Sequence, residues 1–437
     1  MKKLTSFQII ILGFSGVILL GTIFLMLPVS SREGIQTPFS DALFTATSAV
    51  CVTGLVLYDT ATYWSFFGQF VIVLLIQIGG MGVITVAASF AMISGRKISL
   101  MQRSTMQEAI AAPKVGGIVR LTNFIVKITL LTELLGAAVM APVFCREFGV
   151  RGLWMALFHS ISAFCNAGFD LMGTRGAFSS LTSYAAEPVI NLTIMLLILV
   201  GGIGFLTWDD IRANRLRIRK YRMQSKVIFC TTIVLLIVPA IYFFFFEFVS
   251  LAPGKRILVS LFQAVTPRTA GFNTVDLASL SEPGQYITIV LMLIGGSPGS
   301  TAGGMKTTTI AVLLATALST FLRKEHTQFF GRRIDDSVVK NAAAILLMYL
   351  VLFLAGGLMI SIAEDLPMLA CLFEAASAVG TVGLSLGLTP GLGLPSRFIL
   401  ILLMFFGRVG GLTLIYAALS GTRRGTAKLP KEKITVG

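Results

Sequence analysis

Long apolar runs alternate with shorter ones along the whole chain. The long runs have the length of about 20 residues that a helix needs to cross roughly 30 Å of hydrocarbon. We therefore predict eight membrane-crossing helices. They cover approximately residues 6–27, 66–93, 121–144, 187–207, 227–249, 285–322 (with an interruption), 341–362 and 397–420.

Within each pair of long runs lies an apolar stretch that is too short to cross a bilayer. Stretches of ~10 to 14 residues are typical of re-entrant or interfacial segments. Ser40 is suited to cap the first of them and Pro367 to begin the fourth as its first helical residue. The stretches are FSDALFTATSAV at 39–50, LWMALFHSISAF at 153–164, KRILVSLFQAVT at 255–266 and PMLACLFEAASAV at 367–379.

Each short stretch runs into a glycine at nearly the same distance, which indicates a fourfold internal repeat. The segments align on a phenylalanine and end at a glycine ten residues later, or nine in the third copy. The aligned pairs are Phe44 and Gly54, Phe158 and Gly168, Phe262 and Gly271, and Phe373 and Gly383.

A second glycine pattern recurs in the long run that follows. GGMGVIT at 79–85, GGIGFLT at 201–207 and GRVGGLT at 407–413 superpose, whereas the third copy becomes GGSPGSTAGGMKTTT from Gly295 onwards. These glycines either allow close helix packing, as small residues commonly do in membranes, or have a role in the pore. The pattern alone leaves both readings open.

Composition agrees with a membrane protein, since 55% of the 437 residues are hydrophobic and 13% are charged. The net charge of +15 does not require nucleic acid, because 24 of the 35 Lys and Arg residues fall on one side of the predicted topology. By the positive-inside rule both termini are cytoplasmic, in a plasma (inner) membrane. The first run is too long, and lacks the cleavage site, for a signal peptide.

The four glycine-ended loops have a physical use. Non-helical backbone at membrane depth is tolerated where it is buried in protein or lines water, so four such loops around one axis would enclose a pore. Inward carbonyls would replace the hydration shell of a cation, and the negative C-terminal ends of the short helices would favour it. We predict a cation filter formed by Val52, Thr53, Gly54, Asn166, Ala167, Gly168, Thr269, Ala270, Gly271, Thr381, Val382 and Gly383, chiefly through their backbone.

The interrupted sixth run predicts a gate. Five glycines and a proline within residues 295–306 cannot sustain a helix, so this segment must line a cavity beneath the filter. Arg408, near the middle of the last run, must face inward, where it would act as a barrier to cations and bond to loop carbonyls. Lys306 is either a second gate charge or a side chain that reaches the cytoplasmic surface. The predicted gate comprises Gly295, Gly296, Ser297, Pro298, Gly299, Ser300, Thr301, Gly303, Gly304, Lys306 and Arg408.

With these motifs the chain resembles the Trk, Ktr and HKT superfamily of potassium transporters, and most of all the Ktr-type membrane-spanning subunit. The resemblance implies an all-α polytopic membrane protein with four pseudo-repeats, each a span, a re-entrant pore helix with filter loop and a span, around a central pore. It implies potassium as the ion at the filter, sodium as a cotransported or activating ion, a homodimer, and a cytosolic ring of nucleotide-binding regulatory subunits of the RCK type. No cofactor is expected in this chain.

The repeats set the predicted domain boundaries. They are repeat 1 at 1–94, a cytoplasmic loop at 95–120, repeat 2 at 121–208, a basic loop at 209–226, repeat 3 at 227–322 with its gate loop at 295–306, a loop at 323–340, repeat 4 at 341–420 and a basic tail at 421–437.

Several charged residues lie outside these motifs. Arg268, beside the third filter loop, is expected to point away from the ion path, and Glu133 to form a structural ion pair with Lys127 or a neighbouring helix. Asp41 and Glu374 either concentrate cations at the pore mouth or have a local capping role.

Two other functions were weighed. An intramembrane enzyme lacks a catalytic set, because the two histidines, His159 and His326, are unrelated and neither paired carboxylates nor a metal motif occurs. An alternating-access transporter of cations or small solutes also uses broken helices, but fourfold repetition argues against it.

Overall fold

The computed structural model describes residues 5–94, 98–110, 116–215 and 217–410. Nearly all regular structure in this part of the chain is helical, which follows from long apolar runs that must satisfy their own backbone hydrogen bonds in lipid. The predicted ends of the fourth repeat, up to residue 420, and the basic tail 421–437 lie outside the described residues.

The first repeat contains one long helix, one short helix and a broken helix. These are α1 (Ser6–Met26), α2 (Phe39–Val50), the single turn α3 (Thr60–Tyr63), and the pair α4 (Phe66–Met81) and α5 (Val83–Ile93). Helix α2 begins at Phe39 after Pro38, so the predicted cap at Ser40 is wrong; the Ser40 hydroxyl donates instead to Asp41 Oδ1 at 2.8 Å. A separate helix, α6 (Leu100–Ile110), leads to the second repeat.

The second repeat follows the same order. It contains α7 (Ile118–Phe148), α8 (Arg151–Phe164), and the broken pair α9 (Pro188–Gly202) and α10 (Phe205–Asn214). Exposed leucines such as Leu130, Leu134 and Leu135 cover one side of α7. An apolar surface of this kind suits contact with lipid.

The third and fourth repeats complete the set. The third contains α11 (Met223–Tyr242) with a π-helical end (Phe243–Glu247), α12 (Pro253–Val265), α13 (Glu282–Leu293) and α14 (Thr307–Phe321). A two-stranded hairpin, β1 (Gln328–Phe329) and β2 (Arg332–Arg333), joins it to the fourth. The fourth contains α15 (Asp336–Glu364), α16 (Met368–Gly380) and α17 (Leu394–Val409), and Pro367 caps α16 rather than being its first residue.

Four helices of the described chain are long and apolar enough to cross a membrane, or six if each bent pair is counted as one span. The bent pairs are α4 with α5 and α9 with α10, which turn by 94° and 95°. The sequence predicted one span at 66–93 and one at 187–207, and the bend within each pair has a local cause. Gly82 and Gly204, which separate the two helices of each pair, have φ values of +87° and +93°, a conformation that ends a helix.

The short helices α2, α8, α12 and α16 form the centre of the molecule. Their aligned phenylalanines are fully buried, at 0% exposure. The glycines of the second pattern fit against the ends of these helices, because a methyl group on Gly79, Gly201 or Gly407 would overlap a carbonyl oxygen at the end of a short helix. Within each of the first two motifs, one glycine (Gly79 or Gly201) allows close packing and another (Gly82 or Gly204) ends the helix.

Candidate ion pathway

The four loop glycines form a closed ring. A methyl group placed on each of them would lie within 3.4 Å of the Cα of the next glycine of the ring. The distances from this methyl to the next Cα are 3.2 Å from Gly54 to Gly168, 2.8 Å from Gly168 to Gly271, 3.4 Å from Gly271 to Gly383 and 2.9 Å from Gly383 to Gly54.

Backbone carbonyls occupy the space that side chains would need in this ring. In all four cases the oxygen nearest to the added methyl belongs to the residue just before the next glycine: Ala167 O for Gly54, Ala270 O for Gly168, Val382 O for Gly271 and Thr53 O for Gly383. Ala270 O lies 2.9 Å from the methyl of Gly168. The ring therefore contains four symmetry-related carbonyls as well as four glycines.

The backbone turns in the same way in all four loops. Each ring glycine has a positive φ, and so does the residue two positions before it. The non-glycine members of this set are Val52, Asn166, Thr269 and Thr381, with φ from +52° to +64°. Val52, Thr269 and Thr381 are β-branched, for which this conformation is rare and costs of order 1–3 kcal/mol. The surrounding structure must supply that energy.

In each short helix, the residue four positions after the aligned phenylalanine has a hydroxyl group that holds the loop in place. Ser48 Oγ accepts the Gly54 N–H at 3.1 Å, and Ser377 Oγ accepts the Gly383 N–H at 3.0 Å. Ser162 and Thr266, at the same aligned position, instead donate to the carbonyl that follows their ring glycine. Our sequence analysis missed these residues, although a hydroxyl recurring in all four aligned copies was a usable signal.

In the second and fourth repeats, the residue after the aligned phenylalanine holds the part of the loop that follows the ring glycine. His159 Nε2 accepts the Leu171 N–H at 3.3 Å while its Nδ1 donates to Met155 O. Glu374 accepts the Leu386 N–H at 3.0 Å and two hydroxyls, from Ser385 and Thr389. Of the two readings left open for Glu374, the local structural one therefore fits its contacts.

Asp41 is engaged as well. Its carboxylate accepts from Arg397 at 2.8 Å and from the Tyr58 hydroxyl at 2.6 Å, and the residue is 6% exposed. The contact with Arg397 joins the first repeat to the start of α17. Asp41 thus closes the ring of repeats at the seam between the fourth and the first.

A cavity of about 400 Å³ lies on one side of the glycine ring and is lined by all four ring glycines. We call this cavity the vestibule, its side of the molecule the vestibule face, and the opposite side the gate face. Asp59, Asp170 and Asp276 line the vestibule. Burial, together with the charge of Asp59, raises the pKa of Asp170 to about 7. A wall with three carboxyl groups attracts cations to the ring.

The gate loop lies on the other side of the ring. Thr301 Oγ1 lies 3.3 Å from Asn166 Oδ1 and donates to Phe164 O at 3.0 Å. A methyl group on Gly303 would overlap the side chain of Thr381. The loop residues Thr301 and Gly303 therefore contact two of the predicted filter residues from below.

Backbone hydrogen bonds connect the gate loop to two of the glycine motifs. Ser297 N–H donates to Gly202 O at 3.0 Å, Gly304 N–H donates to Gly407 O at 3.1 Å, and Phe205 N–H donates to Gly299 O at 2.7 Å. The loop is thus held at its start, its middle and its end. These partners belong to the second and fourth repeats.

Two basic side chains also contact the gate loop. Arg408 donates to Thr301 O on the loop and to Gly79 O and Gly80 O at the break between α4 and α5. Lys306 Nζ donates to Ala302 O at 2.8 Å and to Gly303 O at 3.2 Å, so it folds onto the loop rather than reaching the surface. Both cations are thereby satisfied by carbonyl oxygens inside the protein.

The remaining two charged residues behave differently from each other. Arg268 is 4% exposed and contacts Thr232 Oγ1 at 3.4 Å on α11, away from the ring, as its sequence setting suggested. The predicted ion pair of Glu133 is wrong: within the described residues its carboxylate contacts Gln77 Nε2 at 3.2 Å and Cys165 Sγ at 3.8 Å, and no basic group.

The chain matches a family model described as TrkH, cation transport protein, over residues 2–422. It is 40% identical to the potassium/sodium uptake protein NtpJ of Enterococcus hirae, over 100% of this chain and 98% of that protein. It is 37% identical to the Ktr system potassium uptake protein B of Bacillus subtilis, over 100% and 97% of the two chains.

Among solved structures, the potassium transporter TrkH from Vibrio parahaemolyticus superposes with a TM-score of 0.74 at 21% sequence identity. The match covers 94% of this chain and 83% of that one. At this identity the likeness concerns the fold, and it confirms the prediction of an all-α polytopic membrane protein.

Proposed function

The chain belongs to the TrkH family of cation transport proteins, and we propose that it is the ion-translocating subunit of a potassium uptake system. As a member of this family it is a membrane transport protein and not an enzyme. Two relatives that match over the full chain are named as potassium uptake proteins, and one of these names includes sodium. We extend potassium to this chain as its transported ion, with sodium as a cotransported or activating ion.

The closed ring of glycines and carbonyls is the observation that carries this proposal. Carbonyl oxygens that the fold holds in a ring are suited to replace the water around a dehydrated cation. The filter comprises Val52 to Gly54, Asn166 to Gly168, Thr269 to Gly271 and Thr381 to Gly383. Ions enter from the acidic vestibule and leave toward the gate face.

The gate is the loop 295–306 together with Arg408. Its position directly beneath Asn166 and Thr381, and the hydrogen bonds that tie it to the second and fourth repeats, support this role. While the loop stays there, the Arg408 and Lys306 charges oppose a passing cation. Opening requires the loop to leave these contacts.

The partners belong to the same proposal. The chain works as a homodimer in the plasma membrane, both termini are cytoplasmic, and a cytosolic ring of nucleotide-binding subunits of the RCK type controls the loop. The excess of Lys and Arg in loops on the gate face supports this orientation and an acidic partner.

Ion uptake by the purified protein in liposomes tests the function. With an inside-negative potential we expect radioactive rubidium to enter, potassium to compete with it, and sodium to compete weakly. Liposomes without protein supply the background. Failure of potassium to compete would contradict the ion assignment, and acceleration of rubidium uptake by internal potassium would favour an alternating-access carrier over a pore.

A further inference from the structure

A second cavity lies on the vestibule face, at the seam between the first and second repeats and away from the ring. Its volume is about 470 Å³, within the range of roughly 300–1,000 Å³ that is usual for ligand pockets. The first repeat contributes the segment from Ala61 to Gln69 and Arg32, and the second contributes Val150, Arg151 and Trp154. We call it the seam cavity.

Two arginines give the seam cavity a positive charge. Arg32 and Arg151 both line it, and no acidic residue does. Three arginines elsewhere on this face have protein partners: Arg175 contacts Glu147, Arg397 contacts Asp41, and Arg256 donates to Phe244 O. Within the described residues the guanidinium groups of Arg32 and Arg151 have no protein partner. Helices α4 and α8 also begin at the cavity, and the positive ends of their dipoles add to the charge.

Aromatic rings form a fixed wall beside these charges. The Trp154 indole N–H donates to Gln69 Oε1 at 3.0 Å, and Gln69 is itself 4% exposed and bonded to Trp64 O. The rings of Phe66 and Trp154 lie 4.7 Å apart. Tryptophan at this level is typical of the interface between hydrocarbon and lipid headgroups.

An apolar stripe leads from the seam cavity along the membrane-facing surface. Phe66, Phe70 and Leu74 on α4 are 65%, 43% and 45% exposed, and their spacing of four residues places them on one side of the helix. Leu153 on α8, beside Arg151, is 56% exposed. A ligand that fits both parts has an anionic head and an apolar tail.

We propose that the seam cavity binds an anionic phospholipid, with the headgroup phosphate between Arg32 and Arg151 and an acyl chain along Phe66, Phe70 and Leu74. Arginine matches phosphate oxygens in pairs of hydrogen bonds. An anionic headgroup suits the site better than a zwitterionic one, because the ammonium group of the latter would be repelled by the same two guanidinium groups. The lipid joins two repeats whose direct contacts at this level are the hydrogen bond between Trp154 and Gln69 and the packing of the Phe66 ring against Trp154. The inference does not depend on which ion is transported.

Native mass spectrometry of the purified full chain tests the inference. The probes are phosphatidylglycerol and phosphatidylcholine with identical acyl chains, and glycerophosphoglycerol as the soluble headgroup. For the wild type we expect preferential binding of phosphatidylglycerol. In the double variant Arg32→Gln, Arg151→Gln this preference should fall roughly thirtyfold, because each arginine contributes about 1 kcal/mol to the binding of an anionic lipid.

Lys255→Gln is the matched control. Lys255 precedes its aligned phenylalanine by seven residues, as Arg151 does, but does not line the cavity. This variant should retain the preference for phosphatidylglycerol. Elution of both variants at the wild-type volume in size-exclusion chromatography shows that they are folded.

Three outcomes would overturn the inference. They are equal binding of the two phospholipids by the wild type, an unchanged preference in the double variant, and binding of the soluble headgroup as strong as that of the lipid, which would identify a site for free anions. If a second protein chain and not a lipid occupies the seam cavity, the wild type should form an oligomer that dissociates in the double variant, and this result would also overturn the inference. None of these results bears on potassium uptake, so the two proposals fail separately.

Discussion

At the scale of single residues, each ring glycine combines a positive φ with a neighbouring backbone atom in the space that a side chain would need. Gly383 has a φ of +90°, and a side chain there would overlap Thr53 O of the first repeat. Gly387 has the same φ of +90° but faces open space. Substitutions at Gly383 and Gly387 therefore separate two costs. Both include the strain of the backbone conformation, about 1–2 kcal/mol for a non-glycine residue, and only the substitution at Gly383 also displaces a ring carbonyl.

Gly383→Ser should reduce the preference for potassium over sodium by about tenfold or more. The serine side chain displaces one of the four ring carbonyls, and a loss of ~1.4 kcal/mol in the difference between the binding free energies of the two ions corresponds to a factor of ten. Competition of potassium and sodium with rubidium uptake measures it. Gly387→Ser has the same backbone strain without the overlap and should keep the wild-type preference. If both variants remain fully selective, the ring is not the filter.

Asp170 predicts a dependence of uptake on pH. Its pKa is raised to about 7 by burial and by Asp59, so its carboxyl group is charged above that pH and neutral below it. Loss of the charge removes part of the attraction of the vestibule for cations. A single charge of this kind contributes up to about 1 kcal/mol, so uptake from limiting potassium should fall severalfold as external pH falls through about 7.

The Asp170→Asn variant should show the low rate at every pH and no such step. Asp276→Asn, in the same vestibule, should lower the rate but retain the step. A step that persists in Asp170→Asn would assign the titration to another group.

At the scale of helices and loops, the apolar pattern was sufficient to find the long helices, the four short helices and the glycine that ends each loop. It was not sufficient for contacts between distant segments. Helix breaks at Gly82 and Gly204 depend on what packs against them, and Glu133 has partners on α4 and α8 that no local pattern encodes. The hydroxyls at Ser48 and Ser377 were visible in the alignment, but their bonds to the loop required the backbone geometry.

The gate assignment predicts a gain of function. Deleting residues 297–304 removes the bonds of Ser297 and Thr301 to the second repeat and that of Gly304 to the fourth, so flux without the cytosolic partner should rise, by roughly tenfold if the loop contributes a barrier of about 1.4 kcal/mol. Rubidium uptake by the chain alone measures this.

Arg408→Gln is a milder variant that keeps the loop and removes one of its attachments, and it should raise flux in the same direction. Arg333→Gln, at an exposed site on the gate face, is the control and should behave as the wild type. Flux that still requires the partner in the deletion variant would exclude a gating role for this loop.

At the scale of the whole molecule, the vestibule and the gate loop lie on opposite sides of one ring, so the orientation of the chain decides which of them faces the outside of the cell. Phe178, which lines the vestibule, is 46% exposed, and Phe330, in the hairpin that follows α14, is 56% exposed. Both are suited to labelling after the five native cysteines are replaced.

In intact cells an impermeant maleimide should label Phe178→Cys, whereas Phe330→Cys should react only after the membrane is permeabilised. In intact cells Phe178→Cys should be labelled at least about tenfold faster than Phe330→Cys, because the two sites lie on opposite sides of the hydrocarbon core, which the reagent cannot cross. The reverse pattern would place the termini outside and invert the proposed orientation.

The closed ring has a further consequence for how this protein can vary. In a pore assembled from four identical subunits, every mutation appears four times, whereas here each quadrant is encoded separately. Ser48 and Ser377 brace their glycines through the amide, while Ser162 and Thr266 brace the next carbonyl, so the quadrants already differ. Because all four quadrants lie on one chain, selection or an experimenter can change the ring one quadrant at a time.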